Sequence, residues 1–127
     1  MLLLDTSVVL SVVQDLDDLG AQSRRRISER AVVHVSSVSV VEIVIKTMTG
    51  KLRSPDDLLA RFAQQGLVGL PLTSEHAVEL AAFPELARHD PFDRLLVAQA
   101  YQTGMDFLTA DRALLSLRRD FIVDARL

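Results

Sequence analysis

Short apolar runs alternate with stretches of helical periodicity along the chain. The runs at residues 2–4, 31–35, 67–70, 107–109 and 121–123 predict strands, and the stretches between them space their apolar residues as helices do. Strands that alternate with helices favour right-handed crossovers and a parallel sheet covered on both faces. We therefore predict an α/β fold in which a central parallel sheet of four to five strands is flanked by helices.

Three aspartates mark the starts of predicted helices. Asp5, followed by Thr6, comes directly after the first strand, Asp90 precedes a helix that ends at Gly104, and Asp111 precedes a short helix after the fourth strand. An aspartate at such a position stabilises a helix by about 1 kcal/mol through capping alone. Each of these acids therefore has a structural explanation that involves no chemistry.

A further helix is predicted over residues 40–49, after a polar capping segment at residues 36–39. Four apolar residues follow the i, i+3, i+4, i+7 spacing of one helix face: Val41, Val44, Ile45 and Met48. Glu42 lies at the edge of this face. The pattern alone does not separate a core face from an interface face. The order Ser39-Val40-Val41-Glu42 also resembles a capping box, which gives Glu42 a structural alternative.

The remaining helices carry polar start signals as well. Ser54 and Pro55 predict a helix that begins there and ends at Gly66, and Thr73 predicts one that ends at Pro84. A polar helix over residues 21–30 contains a triple arginine, which we interpret as a solvated surface.

The acids are expected to converge although they are distant in sequence. Ligands of parallel sheets gather at the carboxyl ends of the strands, where Asp5 and Asp111 fall, and Glu42 and Asp93 lie near helix starts. Two carboxylates about 4 Å apart repel by roughly 4 kcal/mol at an effective dielectric constant of 20. A cluster of three or four carboxylates therefore needs a compensating charge, and we interpret these acids as one site.

The amino-acid composition limits which cation can compensate the charge of these carboxylates. The chain has 127 residues, enough for one domain over residues 1–127, with 49% apolar residues and no cysteine. Hard oxygen ligands without thiolates or paired histidines favour Mg²⁺ or Mn²⁺ over zinc, and such ions activate water for phosphodiester hydrolysis. A net charge of −3 excludes a broadly basic surface, so any contact with nucleic acid is expected to be local.

Other classes find less support in the sequence. There is no nucleophile elbow and no glycine-rich phosphate loop, and the histidines offer no rival site. The first residues lack the pattern of a signal peptide, and no apolar run is long enough for a membrane span. We therefore expect a cytoplasmic protein that makes no use of a membrane.

Several segments, in order along nearly the whole chain, resemble the PIN-domain toxins of VapC type. The most specific is DPFDRLLVAQA at residues 90–100. The others are LLLDT at 2–6, SxxSVVEIxIK at 36–46, GKL at 50–52, LPLTSEHA at 70–77 and LTAD at 108–111. The resemblance implies a metal-dependent endoribonuclease from a prokaryotic type II toxin–antitoxin pair. It further implies a substrate such as tRNA or ribosomal RNA, a VapB-like antitoxin as partner, and a homodimer.

The resemblance also assigns roles to individual residues. By position, Asp5, Glu42 and Asp93 match the family's metal-binding acids, and Asp111 matches a fourth, less uniform acid. Asp90 matches the first acid of the DPFDR motif, for which capping and a metal role both remain open. The supporting residues implied are the hydroxyl residues Thr6 and Thr109, which orient the carboxylates.

The sequence leaves open the roles of three further residues, His89, Lys46 and Arg94. His89 directly precedes Asp90, whereas relatives more often have histidine two residues before that acid, which leaves its role open. Lys46 and Arg94 either contact RNA or balance the acids across one helical turn, and we favour the balancing role.

Two alternatives to a nuclease are considered. A PIN-like module that binds a partner helix and has lost turnover would share the fold, but the retention of all four acids counts against it. A receiver-type phosphorylation domain would have similar length, but its acidic pair and its lysine at the last strand are missing.

Overall fold

The computed structural model describes residues 1–29 and 32–127, so Arg30 and Ala31, the end of one predicted helix and the start of one predicted strand, lie outside it. Five strands are formed: β1 (Leu2–Leu4), β2 (Val33–Ser36), β3 (Leu67–Leu70), β4 (Asp106–Thr109) and β5 (Ile122–Asp124). The α-helices of the described residues are α1 (Thr6–Val13), α2 (Ala21–Glu29), α3 (Ser37–Met48), α4 (Leu58–Gln64), α5 (Ser74–Val78), α6 (Pro91–Thr103) and α7 (Arg112–Leu115).

All five strands are parallel and form one sheet in the order β3-β2-β1-β4-β5. The predicted α/β class and parallel sheet are therefore confirmed. The first strand occupies the centre, between β2 and β4, with Leu2 opposite both Val33 and Asp106. The carboxyl ends of β1 and β4 consequently lie side by side, and the backbone N–H of Asp5 donates to the carbonyl of Leu108 at 2.9 Å.

The hydrophobic core lies on both faces of the sheet because successive strand residues point to opposite sides. Leu2 and Leu4 pack in one cluster with Val9 of α1 and Ile43 of α3. Leu3 packs in the other cluster, with Leu96 of α6 among its members. The central strand is inaccessible to solvent on both sides, which fixes the position of the residue that follows it.

The apolar face identified on the third helix does not lie in the core. Val41, Val44, Ile45 and Met48 are 44–81% exposed, whereas Ile43 and Ser39 are fully buried. The helix begins at Ser37, with Ser36 as its N-cap, three residues earlier than predicted. Glu42 is therefore in the middle of α3 and 5% exposed, so the capping-box alternative for this acid is wrong.

Two other helices differ from the prediction, one at its start and one at its end. The helix predicted from Ser54 begins at Leu58, and the Ser54 hydroxyl instead lies 3.1 Å from the hydroxyl of Thr47. Thr73 does cap α5, but regular α-helix ends at Val78 and a 3-10 turn continues the chain to Ala82. Of the helices described, none is both long and apolar enough to cross a membrane.

Candidate active site

Asp5 stands at the centre of the site because it ends the central strand and begins α1. Its Oδ1 accepts a hydrogen bond from the Thr6 N–H at 2.8 Å, and its Oδ2 accepts one from the Thr109 hydroxyl at 2.6 Å. The residue is 5% exposed. Both carboxylate oxygens are therefore held by neighbours that the ends of β1 and β4 supply.

Two threonines organise this end of the sheet. The Thr109 hydroxyl donates to Asp5 and accepts from the backbone N–H of Asp111 at 3.0 Å, so it links two of the acids. The Thr6 hydroxyl lies 2.9 Å from that of Ser39, which connects α1 to α3. Ser39 was not predicted as part of the site, although its position one turn before Glu42 is the signal that could have indicated it.

Glu42 reaches the site from α3. Its Oε2 accepts a hydrogen bond from the Lys46 ammonium at 2.5 Å, while its Oε1 is buried and has no hydrogen-bond partner among the described residues. This hydrogen bond is the main reason that the pKa of Lys46 is raised above its ordinary value. The predicted balancing role of Lys46 thus matches the contact that it makes.

Asp90 and Asp93 come from the start of α6. The Oδ1 of Asp90 accepts from the N–H groups of Phe92 and Asp93, at 2.8 and 3.2 Å, as a helix cap does. The contact observed for Arg94 is with the backbone, since its Nη1 donates to the carbonyl of Ala87 at 3.1 Å, and a balancing role for its charge stays a prediction. Asp90 therefore caps the helix whose first turn presents Asp93.

Asp111 comes from the loop after β4. Its Oδ1 accepts from the N–H groups of Ala113 and Leu114 and so caps α7. Its Oδ2 lies 3.7 Å from the Nε2 of His89, which also lies 3.1 Å from the Oδ2 of Asp93. His89, left open by the sequence, is thus placed between two of the acids; its spacing of four residues from Asp93 is the signal for this contact.

All five acids line one cleft of about 380 Å³, together with Lys46. Burial, and then the charges of Asp5, Asp90, Glu42 and Asp111, raise the pKa of Asp93 to about 7.

Burial also raises the pKa of Asp5. Hydrogen bonds from Thr109 and Thr6 oppose this effect, and the charges of Glu42 and Asp111 add to it. The cleft therefore concentrates more negative charge than its own groups neutralise.

The residues of the cleft fit a hard divalent cation. The donor set is carboxylate oxygen, which suits Mg²⁺ and Mn²⁺. A buried carboxylate oxygen without a partner is costly, and a cation would satisfy the Oε1 of Glu42. The same cation would reduce the electrostatic repulsion between Asp93 and the neighbouring carboxylates.

The fold resembles those of solved toxin–antitoxin complexes. It superposes on a chain of VapBC2 from Rickettsia felis, solved bound to a DNA fragment from its promoter, with a TM-score of 0.67 and 12% identity. The superposition covers 97% of this chain and 96% of that chain. A DNA-bound VapBC from Salmonella typhimurium gives a TM-score of 0.61 and 19% identity over 97% and 95% of the two chains. FitAcB from Neisseria gonorrhoeae gives a TM-score of 0.55 and 21% identity, over 87% of this chain and 88% of that chain.

At these identities the structures show a shared fold, and no curated protein sequence matches the chain. The family assignment rests on the sequence itself, because residues 2–120 match the PIN domain. That span contains β1 to β4 and all five acids of the cleft, and it ends just before β5. The chain therefore belongs to the PIN domain family, and within that family it resembles the VapC toxins.

Proposed function

We propose that the protein is the toxin of a type II toxin–antitoxin pair and acts as a metal-dependent endoribonuclease. The observation that carries this proposal is the convergence of five carboxylates, from four separate parts of the chain, on one cleft with one lysine. Capping explains the positions of Asp90 and Asp111, but it does not explain Glu42. That residue lies in mid-helix with a buried oxygen that has no hydrogen-bond partner in the part of the chain that the structure describes.

In this proposal Asp5, Glu42, Asp93 and Asp90 hold Mg²⁺ or Mn²⁺, directly or through water, and Asp111 is the further acid beside it. When bound, such a cation supplies an acidified water and stabilises negative charge that develops on a phosphoryl oxygen. Asp111, with the other acids, belongs to the catalytic set.

The chain's own residues prepare the cleft for this chemistry. Thr109 holds Asp5 in one orientation through its 2.6 Å hydrogen bond, and Thr6 anchors the start of α1 to α3. Lys46 neutralises part of the charge of Glu42 and lies at the edge of the cleft, where a phosphate could also meet it. Because these groups are fixed before substrate arrives, little reorganisation is required during the reaction.

The substrate proposed is structured RNA, such as tRNA or ribosomal RNA. With a net charge of −3, the protein has no general attraction for a phosphate backbone, so binding near the acids depends on the bound cation. The partner proposed is a VapB-like antitoxin, since chains of similar fold were solved in toxin–antitoxin complexes. We further propose a homodimer in a prokaryotic cytoplasm.

The deciding experiment is cleavage of total cellular RNA by the purified, antitoxin-free protein with Mn²⁺ or Mg²⁺. We expect discrete fragments that disappear with EDTA and with the Asp93→Asn variant. The matched control is Asp56→Asn, which makes the same change at an exposed aspartate before α4, outside the cleft. This control variant should cleave like the wild type.

Failure would have a clear meaning. If folded, metal-loaded protein leaves RNA intact, the nuclease proposal is wrong and the protein is better described as a PIN-like module that binds a partner. If Asp93→Asn cleaves as well as the wild type, the activity does not belong to this cleft.

A further inference from the structure

His89 is the histidine that the structure places beside two of the acids. The loop that leads into α6 fixes its backbone, since its N–H donates to the carbonyl of Leu86 at 2.9 Å. From there its Nε2 lies 3.1 Å from the Oδ2 of Asp93 and 3.7 Å from the Oδ2 of Asp111. The other two histidines are buried elsewhere, His34 in β2 and His76 in α5.

These separations are close to those that one cation imposes on its ligands. Two donors bound at about 2.1 Å are about 3.0 Å apart when adjacent and about 4.2 Å apart when opposite. The imidazole nitrogen and one oxygen of each acid all lie within 4.8 Å of one another. The three side chains are 18–31% exposed, so a cation from solvent can reach them.

A second observation connects this trio to a ligand. Asp93 and Asp111 line the same cleft as Glu42, whose Oε1 is buried without a hydrogen-bond partner among the described residues. The three residues of the trio also come from both sides of the cleft, the start of α6 and the end of β4. A bound cation would therefore join two elements that otherwise present facing carboxylates.

We propose that His89 is a direct nitrogen ligand of the divalent cation in this cleft and makes the site prefer Mn²⁺ over Mg²⁺. The preference follows because Mg²⁺ favours oxygen donors, whereas imidazole strengthens binding of first-row transition metals. This inference rests on the proposed metal-dependent function. It adds to that function the identity of a ligand and the choice of metal.

The competing role for His89 is that of a positioning residue. In that case its Nε2–H donates to Asp93, and the imidazole touches the acid and never the metal. Loss of such a residue would weaken Mn²⁺ and Mg²⁺ binding by similar factors, because it would act through the carboxylate alone. Direct ligation instead changes the ratio of the two affinities.

The test is electron spin echo envelope modulation spectroscopy of Mn²⁺ bound to the wild-type protein. We expect modulation from a directly bonded ¹⁴N, replaced by the ¹⁵N pattern when the protein is grown with ¹⁵N-histidine. This comparison needs no substitution and therefore does not depend on the folding of a variant. His89→Gln then identifies which histidine is responsible, and its urea unfolding verifies that it folds.

Affinities measured by Mn²⁺ titration and Mg²⁺ competition complete the test. In His89→Gln we expect Mn²⁺ to bind about tenfold or more weakly and Mg²⁺ to change by less than about threefold. Bound Mn²⁺ without histidine nitrogen coupling would overturn the inference and leave the nuclease proposal standing. A wild-type protein that binds Mg²⁺ but no Mn²⁺ would overturn the inference alone, and one that binds neither cation would overturn both.

Discussion

At the residue scale, Asp93 combines partial burial with the charges of four other acids. These effects raise its pKa from the ordinary value of 3.8 to about 7. The folded protein therefore holds this proton more tightly than the unfolded chain does. The contribution of Asp93 to stability is fully present below about pH 4 and is lost as the pH rises towards 7.

We expect the metal-free Asp93→Asn variant to be more stable than the wild type at pH 8, by about 2 kcal/mol, because the substitution removes a carboxylate repelled by its neighbours. Near pH 4, where Asp93 is protonated, the difference should vanish. Urea unfolding in EDTA at both pH values measures this effect. Asp56→Asn, at an exposed position, serves as the control, and an equal gain at both pH values would contradict the assignment.

Thr109 is the second decisive residue, because its fully buried hydroxyl both donates to Asp5 and accepts from the Asp111 N–H. Thr109→Val keeps the shape and leaves both groups without this partner, so we expect a loss of about 2 kcal/mol in the metal-free free energy of unfolding. Thr103→Val is the matched control, since the Thr103 hydroxyl bonds only to carbonyls of its own helix. Equal losses in the two variants would argue against a special role for Thr109.

At the element scale, α3 tests which face of a helix packs against the sheet. Ile43 is fully buried, whereas Ile45 is 44% exposed. We expect Ile43→Ala to lower the free energy of unfolding by about 2–5 kcal/mol and Ile45→Ala by less than about 1 kcal/mol. Urea unfolding of the two variants gives this comparison directly. A larger loss of unfolding free energy in Ile45→Ala would mean that the face with Ile45, not the face with Ile43, packs in the core.

The same helix shows where sequence patterns fail. The apolar spacing of Val41, Val44, Ile45 and Met48 is real, but the site requires the opposite face, where Ser39 and Glu42 are buried. A rule based on apolar periodicity assigns polar residues to solvent, and here it would place Ser39 and Glu42 on the exposed face of the helix. Local signals with a fixed chemical geometry were more reliable, since Asp90 and Asp111 do cap α6 and α7, and Gly104 ends α6 in the left-handed conformation.

At the scale of the whole molecule, the sequence predicted the sheet and the grouping of the acids. Alternating strands and helices imply parallel strands whose carboxyl ends share an edge, and this suffices to bring Asp5 near Asp111. It could not predict the approach of His89 to Asp111 or the buried oxygen of Glu42. Both depend on side-chain orientations set by packing between elements that are distant in the chain.

The charge of the cleft should make the stability of the whole protein depend on metal. At a Mn²⁺ concentration one hundred times the Kd, binding adds about 2.7 kcal/mol, which raises Tm by about 10 °C for a domain of this size. We expect a shift below about 3 °C in the Glu42→Gln, Asp93→Asn double variant. Thermal unfolding with Mn²⁺ and with EDTA measures it, and an unchanged shift in the double variant would place the ion elsewhere.

The central position of β1 also has a consequence for synthesis of the protein. Asp5 is synthesised well before Thr109, which orients it and follows 104 residues later. Contacts of such long sequence separation form late, because the chain between them must first be made and closed into a loop. A growing chain that has not yet passed β4 therefore has an incomplete cleft, and the ribosome that makes this protein is not exposed to an assembled site before that segment has emerged.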